Sequence, residues 1–165
     1  METRMLKRNP QPAKQISRPV VDKETAKPQP VSDTGVGGSS LDTMTAACAT
    51  EMMNAASSFH KLHLKITGPG SYAAHKALND LYDALPDHAD SLIEGYQGAS
   101  EKLLKYTESV PRQLDDLQDA VNYLRDMYAI ITKLQAKMPY SEIVNSLDTV
   151  KDSINAAKYK LLFLS

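Results

Sequence analysis

The sequence predicts an all-α protein, a bundle of four helices behind a disordered N-terminal tail. Three observations carry that expectation. Residues 40–165 hold four apolar stripes with spacings of three and four, the period of helices that bury one face. No convincing strand signal interrupts them. Residues 1–39 have a different composition: five of the nine prolines, three of the seven glycines and hardly any large apolar side chains. A segment of that kind cannot bury enough surface to offset its ordering entropy.

The elements follow in order. The tail, residues 1–39, carries seven basic residues against four acidic ones, and its basic charge is concentrated in Arg4, Lys7, Arg8, Lys14 and Arg18. The body, residues 40–165, is left with 12 basic and 16 acidic residues. Ser40 is a suitable N-cap for a first helix. Its stripe runs Leu41, Met44, Cys48, Met52, Ala55, Phe59, Leu62 and Ile66, and the Gly-Pro-Gly at 68–70 is expected to end it. A second helix is expected from about Ser71 to Tyr96, with Ala74, Leu78, Leu81, Leu85, Ala89 and Leu92 inward. Pro86 should kink it, because proline donates no bond to the Tyr82 carbonyl. The third stripe is Leu114, Leu117, Val121, Leu124, Tyr128, Ile131 and Leu134, stopped by Pro139. The fourth is Ile143, Leu147, Val150, Ile154, Ala157, Leu161 and Leu164.

Two connections are tight, but about 15 residues separate the second and third helices. A turn needs far fewer, and a largely extended stretch of that length crosses a whole bundle. One long crossover is the ferritin-like topology; a simple up-down-up-down bundle is the alternative. A short helix over residues 99–106 would fit on the way.

Composition narrows the function. A net charge of −1 favours no class of partner. The lone Cys48 rules out an internal disulfide framework and suits a reducing compartment. The basic start is followed by prolines, not by an apolar run, so it does not read as a secretory signal. No run of about 18 apolar residues exists to span a membrane. The expected location is the cytoplasm or the inside of a particle such as a virion.

All four histidines, His60, His63, His75 and His88, fall within 29 residues, and Asp90 and Glu94 follow at i,i+4 spacing. Imidazole and carboxylate together are ligands for iron, zinc or manganese. On a helical wheel Glu94 lies about 180° from Leu85 and Asp90 about 140°, with His75 roughly 80–100° off. His63 sits about 100° from Leu62. The candidate ligands therefore stand off the core stripe, on flanks and outer faces. His63 and His75 flank the turn and can meet. Asp90 lies roughly 22 Å beyond His75 along the helix, against metal–ligand bonds of about 2.0–2.2 Å. One chain cannot offer all four groups to one metal; two chains related by a two-fold axis can. The bland readings are that His-x-x-His is surface histidine, that the acid pair is a solvated face, and that His60 and His88 are structural or exposed. No Glu-x-x-His occurs, which removes the di-iron site of a bundle core.

Residues 59–96 resemble the signature region of the Dps family, the ferritin-like DNA-protection proteins of starved bacteria. The family pattern is His-x-x-His, a short Gly-containing turn, aromatic-x-x-His, acidic-Leu-Tyr, then Asp-x-x-x-Glu. This chain has His60-Lys61-Leu62-His63, Gly68, Tyr72-Ala73-Ala74-His75, Asp80-Leu81-Tyr82 and Asp90-Ser91-Leu92-Ile93-Glu94 at the same intervals. The resemblance implies an inter-subunit ferroxidase site of His63 and His75 from one chain with Asp90 and Glu94 from another. It departs at Leu64, where the family usually has Trp, and at Asn79, where members often carry Asp near a second metal position. Asn79 is then at most an outer contact, and occupancy by two iron ions is in question. Pro86 is also unusual there. The Glu-Gly-Tyr-Gln-Gly at 94–98 is closer to small Dps-like proteins of tailed phages.

What the resemblance implies is a homo-oligomeric shell, a dodecamer built from two-fold dimers. Such a shell oxidises Fe(II) with hydrogen peroxide or oxygen and stores the ferric mineral, which suppresses radical damage to DNA. Its basic tails would bind DNA. A second expectation keeps the fold but not the enzyme: a DNA-binding or virion-associated structural protein with a weak or vestigial metal site. A third is a helical adaptor with incidental histidines.

Overall fold

The computed structural model describes residues 40–106 and 108–165. Four helices make up the body: α1 (Leu41–His63), α2 (Ser71–Ser100), α3 (Leu117–Gln135) and α4 (Ser141–Phe163). The described residues contain no strand. The N-terminal segment 1–39, with the expected disorder and with Arg4, Lys7, Arg8, Lys14 and Arg18, lies outside the described residues.

Each helix begins where local chemistry favours it. Ser40 is the α1 N-cap, its Oγ accepting the Thr43 N–H at 3.2 Å. Asp116 caps α3 by accepting the Asp119 N–H at 2.9 Å, and the Asp119 carboxylate reaches back to the Asp115 N–H. A cap of this kind contributes about 1 kcal/mol. Asp116 shows why α3 starts at Leu117 although the apolar stripe already begins at Leu114, a buried residue of the crossover.

Two helix ends differ from the sequence expectation. α1 closes at His63, before Ile66 and the Gly-Pro-Gly, because the Lys65 N–H turns back to the Leu62 carbonyl. Gly70 instead precedes α2 at φ 76°, and a Cβ there would come within 2.5 Å of the Ser165 backbone, so this turn needs glycine twice over. α2 passes Tyr96 and runs on to Ser100, ending at Glu101 with φ 55°. It is unbroken through the exposed Pro86.

Side-chain contacts define the topology. α1 packs on α2 and α3, and α4 packs on the same two. Lys160 pairs with Asp80, His88 meets Ser153, and Gly95 faces Ile143, so α2 and α4 are antiparallel. Phe59 packs against Tyr123 with ring centroids 5.3 Å apart, and Leu62 shares a cleft with Leu117, so α1 and α3 are antiparallel as well. α1 and α4 therefore run one way and α2 and α3 the other, which requires residues 101–116 to travel back along the bundle. This is the one-long-crossover connectivity. Gln97 holds the start of the crossover by accepting the Leu104 N–H, and Arg112 ties its far half to Glu51 on α1 and Asp126 on α3. The crossover contains no helix among its described residues; the short helix expected over 99–106 is replaced by the last turn of α2 and irregular chain.

The predicted stripes form the core. Cys48, Met52, Ala55, Phe59, Leu62, Leu78, Leu85, Leu92, Leu124, Ile131, Leu147 and Ile154 are all buried. The core also takes Tyr123 and Met127, which the wheel of α3 left out. Tyr128 is only half-buried, with the Lys151 ammonium 4.9 Å from its ring, and Leu164 is exposed. No helix among the described residues is long and apolar enough to cross a membrane.

Candidate metal centre

The turn between α1 and α2 brings the end of one helix against the start of the next, and His63 and His75 meet there. Their rings stack with centroids 3.6 Å apart and an interplanar angle of 30°. Tyr82, two turns further along α2, lies edge-on to His63 at 5.2 Å and face-to-face with His60 at 4.2 Å. Its hydroxyl donates to Asn79 Oδ1 at 2.8 Å, and Asn79 Nδ2 donates to Asp83 at 2.7 Å.

This packing corrects one expectation. The wheel placed His63 on a flank off the core stripe, but the residue is only 7% exposed. The core stripe of α1 does not bury it; the His75 and Tyr82 rings reach across from α2 and cover it. Both His63 ring nitrogens are shielded from water and have no hydrogen-bond partner among the described residues. Burial pushes the His63 pKa below the usual histidine range, the neighbouring His75 and His60 imidazoles add to that, and Asp83 opposes it. That shift favours the neutral imidazole, the form whose lone pair binds a metal.

His75 is exposed, as are Asp90 and Glu94 on the outer face of α2. Those two acids end a row of exposed carboxylates, Asp80, Asp83, Asp87, Asp90 and Glu94, at helical spacing. Among the described residues neither Asp90 nor Glu94 takes part in an ion pair, whereas Asp80 is held by Lys76 and Lys160. Asn79, the candidate outer contact, is occupied by its bonds to Tyr82 and Asp83. His88 is half-buried beside Ser153 and belongs to the α2–α4 packing.

The donor chemistry suits a divalent cation. Two imidazoles bound to one metal at about 2.0–2.1 Å must bring their nitrogens within about 4 Å of each other, and ring centroids 3.6 Å apart make the two histidines close enough neighbours to share one. Their planes are too nearly parallel for both lone pairs to converge, so the exposed His75 has to swing open. Within one chain, no three His, Cys, Asp or Glu side chains among the described residues form a group that could hold a metal ion. Asp90 and Glu94 remain on α2, far from their own chain's His63–His75 pair.

Residues 63–161 match a family of unknown function, DUF5856, and the chain belongs to that family. The match starts at His63 and takes in His75, Asp90 and Glu94; the N-terminal segment lies outside it. An uncharacterized 14.6 kDa protein in the mobD-ri intergenic region of Enterobacteria phage T4 is 30% identical over 115 residues, 68% of this chain and 80% of that protein. No solved structure matches the chain.

Proposed function

We propose that this protein is a Dps-like ferroxidase and iron-storage subunit whose site is shared between two chains. His63 and His75 of one chain and Asp90 and Glu94 of another would bind Fe(II), the substrate, and present it to peroxide or oxygen. The single observation that carries this reading is the buried His63 imidazole in contact with His75, both of its nitrogens unpartnered. A buried polar group normally finds a hydrogen-bond partner, and a ligand supplied on assembly would account for one that has none. The separation of His75 and Asp90 along α2, roughly 22 Å, supports drawing the carboxylates from a second copy. Twelve chains around two-fold interfaces would make a closed shell, in the cytoplasm or inside a virion.

The test is complementation between inactive chains. His63→Ala/His75→Ala and Asp90→Ala/Glu94→Ala chains should each lose fast Fe(II) oxidation with peroxide. Co-assembled, they should regain part of it, because some interfaces then pair intact halves. Wild-type rates in both variants would refute the assignment. The second reading is a non-enzymatic, virion-associated or DNA-binding protein of the same fold. Similarity to a phage T4 protein fits a viral setting for either reading, and iron oxidation no faster than in buffer would select the second.

A further inference from the structure

Metal-binding histidines are usually oriented by a hydrogen bond from the ring nitrogen that does not hold the metal. His63 has no such bond, so packing must set the orientation of its ring. His75 covers one side with an exposed ring; Tyr82, half-buried and hydrogen-bonded, supplies the second contact, its ring centroid 5.2 Å from that of His63. Tyr82 is in turn held on two sides. His60 stacks on its face at 4.2 Å, and its hydroxyl is anchored through Asn79 to Asp83. An asparagine suits that middle position because its carbonyl accepts from tyrosine while its amide donates to a carboxylate. An aspartate could not donate and would set a second negative charge beside Asp83.

We propose that Asn79, Tyr82 and Asp83 form a brace that fixes the His63 imidazole, with Tyr82 as the positioning residue of the centre. The brace rests on the shared-site reading above. It also commits both polar atoms of the Asn79 amide, and one oxygen of Asp83, to intrachain hydrogen bonds.

Cobalt(II) binding by the full-length chain tests it, read from the visible absorption bands that report ligand geometry. Wild type should bind Co(II), and His63→Ala/His75→Ala should not. Tyr82→Phe keeps the ring but cuts the chain of bonds; Asn79→Ala cuts it one residue further on. Each should weaken binding about 3–10-fold, the loss of one hydrogen bond, and alter the band shape. The double variant should lose no more than the larger single loss, because both changes break one coupled unit. Tyr96→Phe is the control: it removes a hydroxyl bond to Asp42 at the opposite end of the bundle, and Co(II) binding should not change. Undiminished binding in Tyr82→Phe, additive losses, or equal weakening in Tyr96→Phe each overturns the brace while the shared site stands. No Co(II) binding by wild type overturns both.

Discussion

His88 sits half-buried on α2 where it faces α4, its Nε2 3.3 Å from Ser153 Oγ. Burial disfavours the imidazolium and lowers its pKa from the ordinary 6.5, with the Asp87 carboxylate opposing. The unfolded chain then binds this proton more readily than the folded one. The contribution to stability is complete above about pH 6.5 and is lost as pH falls from there through the lower folded-state value. An NMR titration should place the His88 midpoint below 6.5, and His88→Gln should flatten that part of the stability–pH curve. A midpoint at or above the ordinary value would contradict the burial argument. A helical wheel sets His88 about 60° from Leu85, near the core side of α2, which agrees with the structural one of the two readings the sequence left for it. The burial of His63 was not legible in the sequence. A wheel reports the face a residue occupies on its own helix, and His63 is covered by side chains of another.

At the scale of elements the crossover depends on Arg112. Its guanidinium pairs with Glu51 at 2.8 Å and Asp126 at 2.7 Å and lies 4.0 Å over the Tyr123 ring. One side chain thus joins residues 101–116 to both α1 and α3. Each exposed ion pair contributes roughly 0.2–1 kcal/mol and the cation–π contact about 0.5–1 kcal/mol. Arg112→Ala should therefore cost about 1–2 kcal/mol in urea unfolding, and Arg112→Lys should recover only part, because an ammonium cannot address two carboxylates and a ring face together. An unchanged midpoint would mean that the crossover is held by its other contacts, among them the buried Leu104 and Leu114 and the hydrogen bond from the Leu104 N–H to Gln97. The four helices and the length of the crossover were legible because apolar spacing and residue count are sequence properties. Its anchoring was not, because Arg112 finds its partners 61 positions back and 14 ahead. The burial of Tyr123 is of the same kind: Phe59 and Arg112 enclose its ring, and neither is its neighbour in sequence.

Charge distribution acts at the scale of the whole molecule. The body holds 12 basic against 16 acidic residues, and residues 1–39 hold seven against four. The row of exposed acids on α2 adds to the repulsion a polyphosphate would meet there. Any affinity for DNA should therefore reside in the tail, chiefly in Arg4, Lys7, Arg8, Lys14 and Arg18. Among the first 18 residues these five face a single acid, Glu2. A tail of that charge binds weakly by itself, and its affinity should fall steeply with salt, since each neutralised phosphate releases counterions. Many tails on one shell would compensate in part, because every contact after the first is effectively intramolecular. The assembled protein should retard duplex DNA in a gel at low salt and release it by about 200 mM. Deleting residues 1–39 should abolish the retardation and leave iron oxidation unchanged, because the proposed ligands all lie between His63 and Glu94. Retardation that survives the deletion would move the DNA contact onto the helical body, against its charge; none at any salt would remove DNA from the partners of this chain.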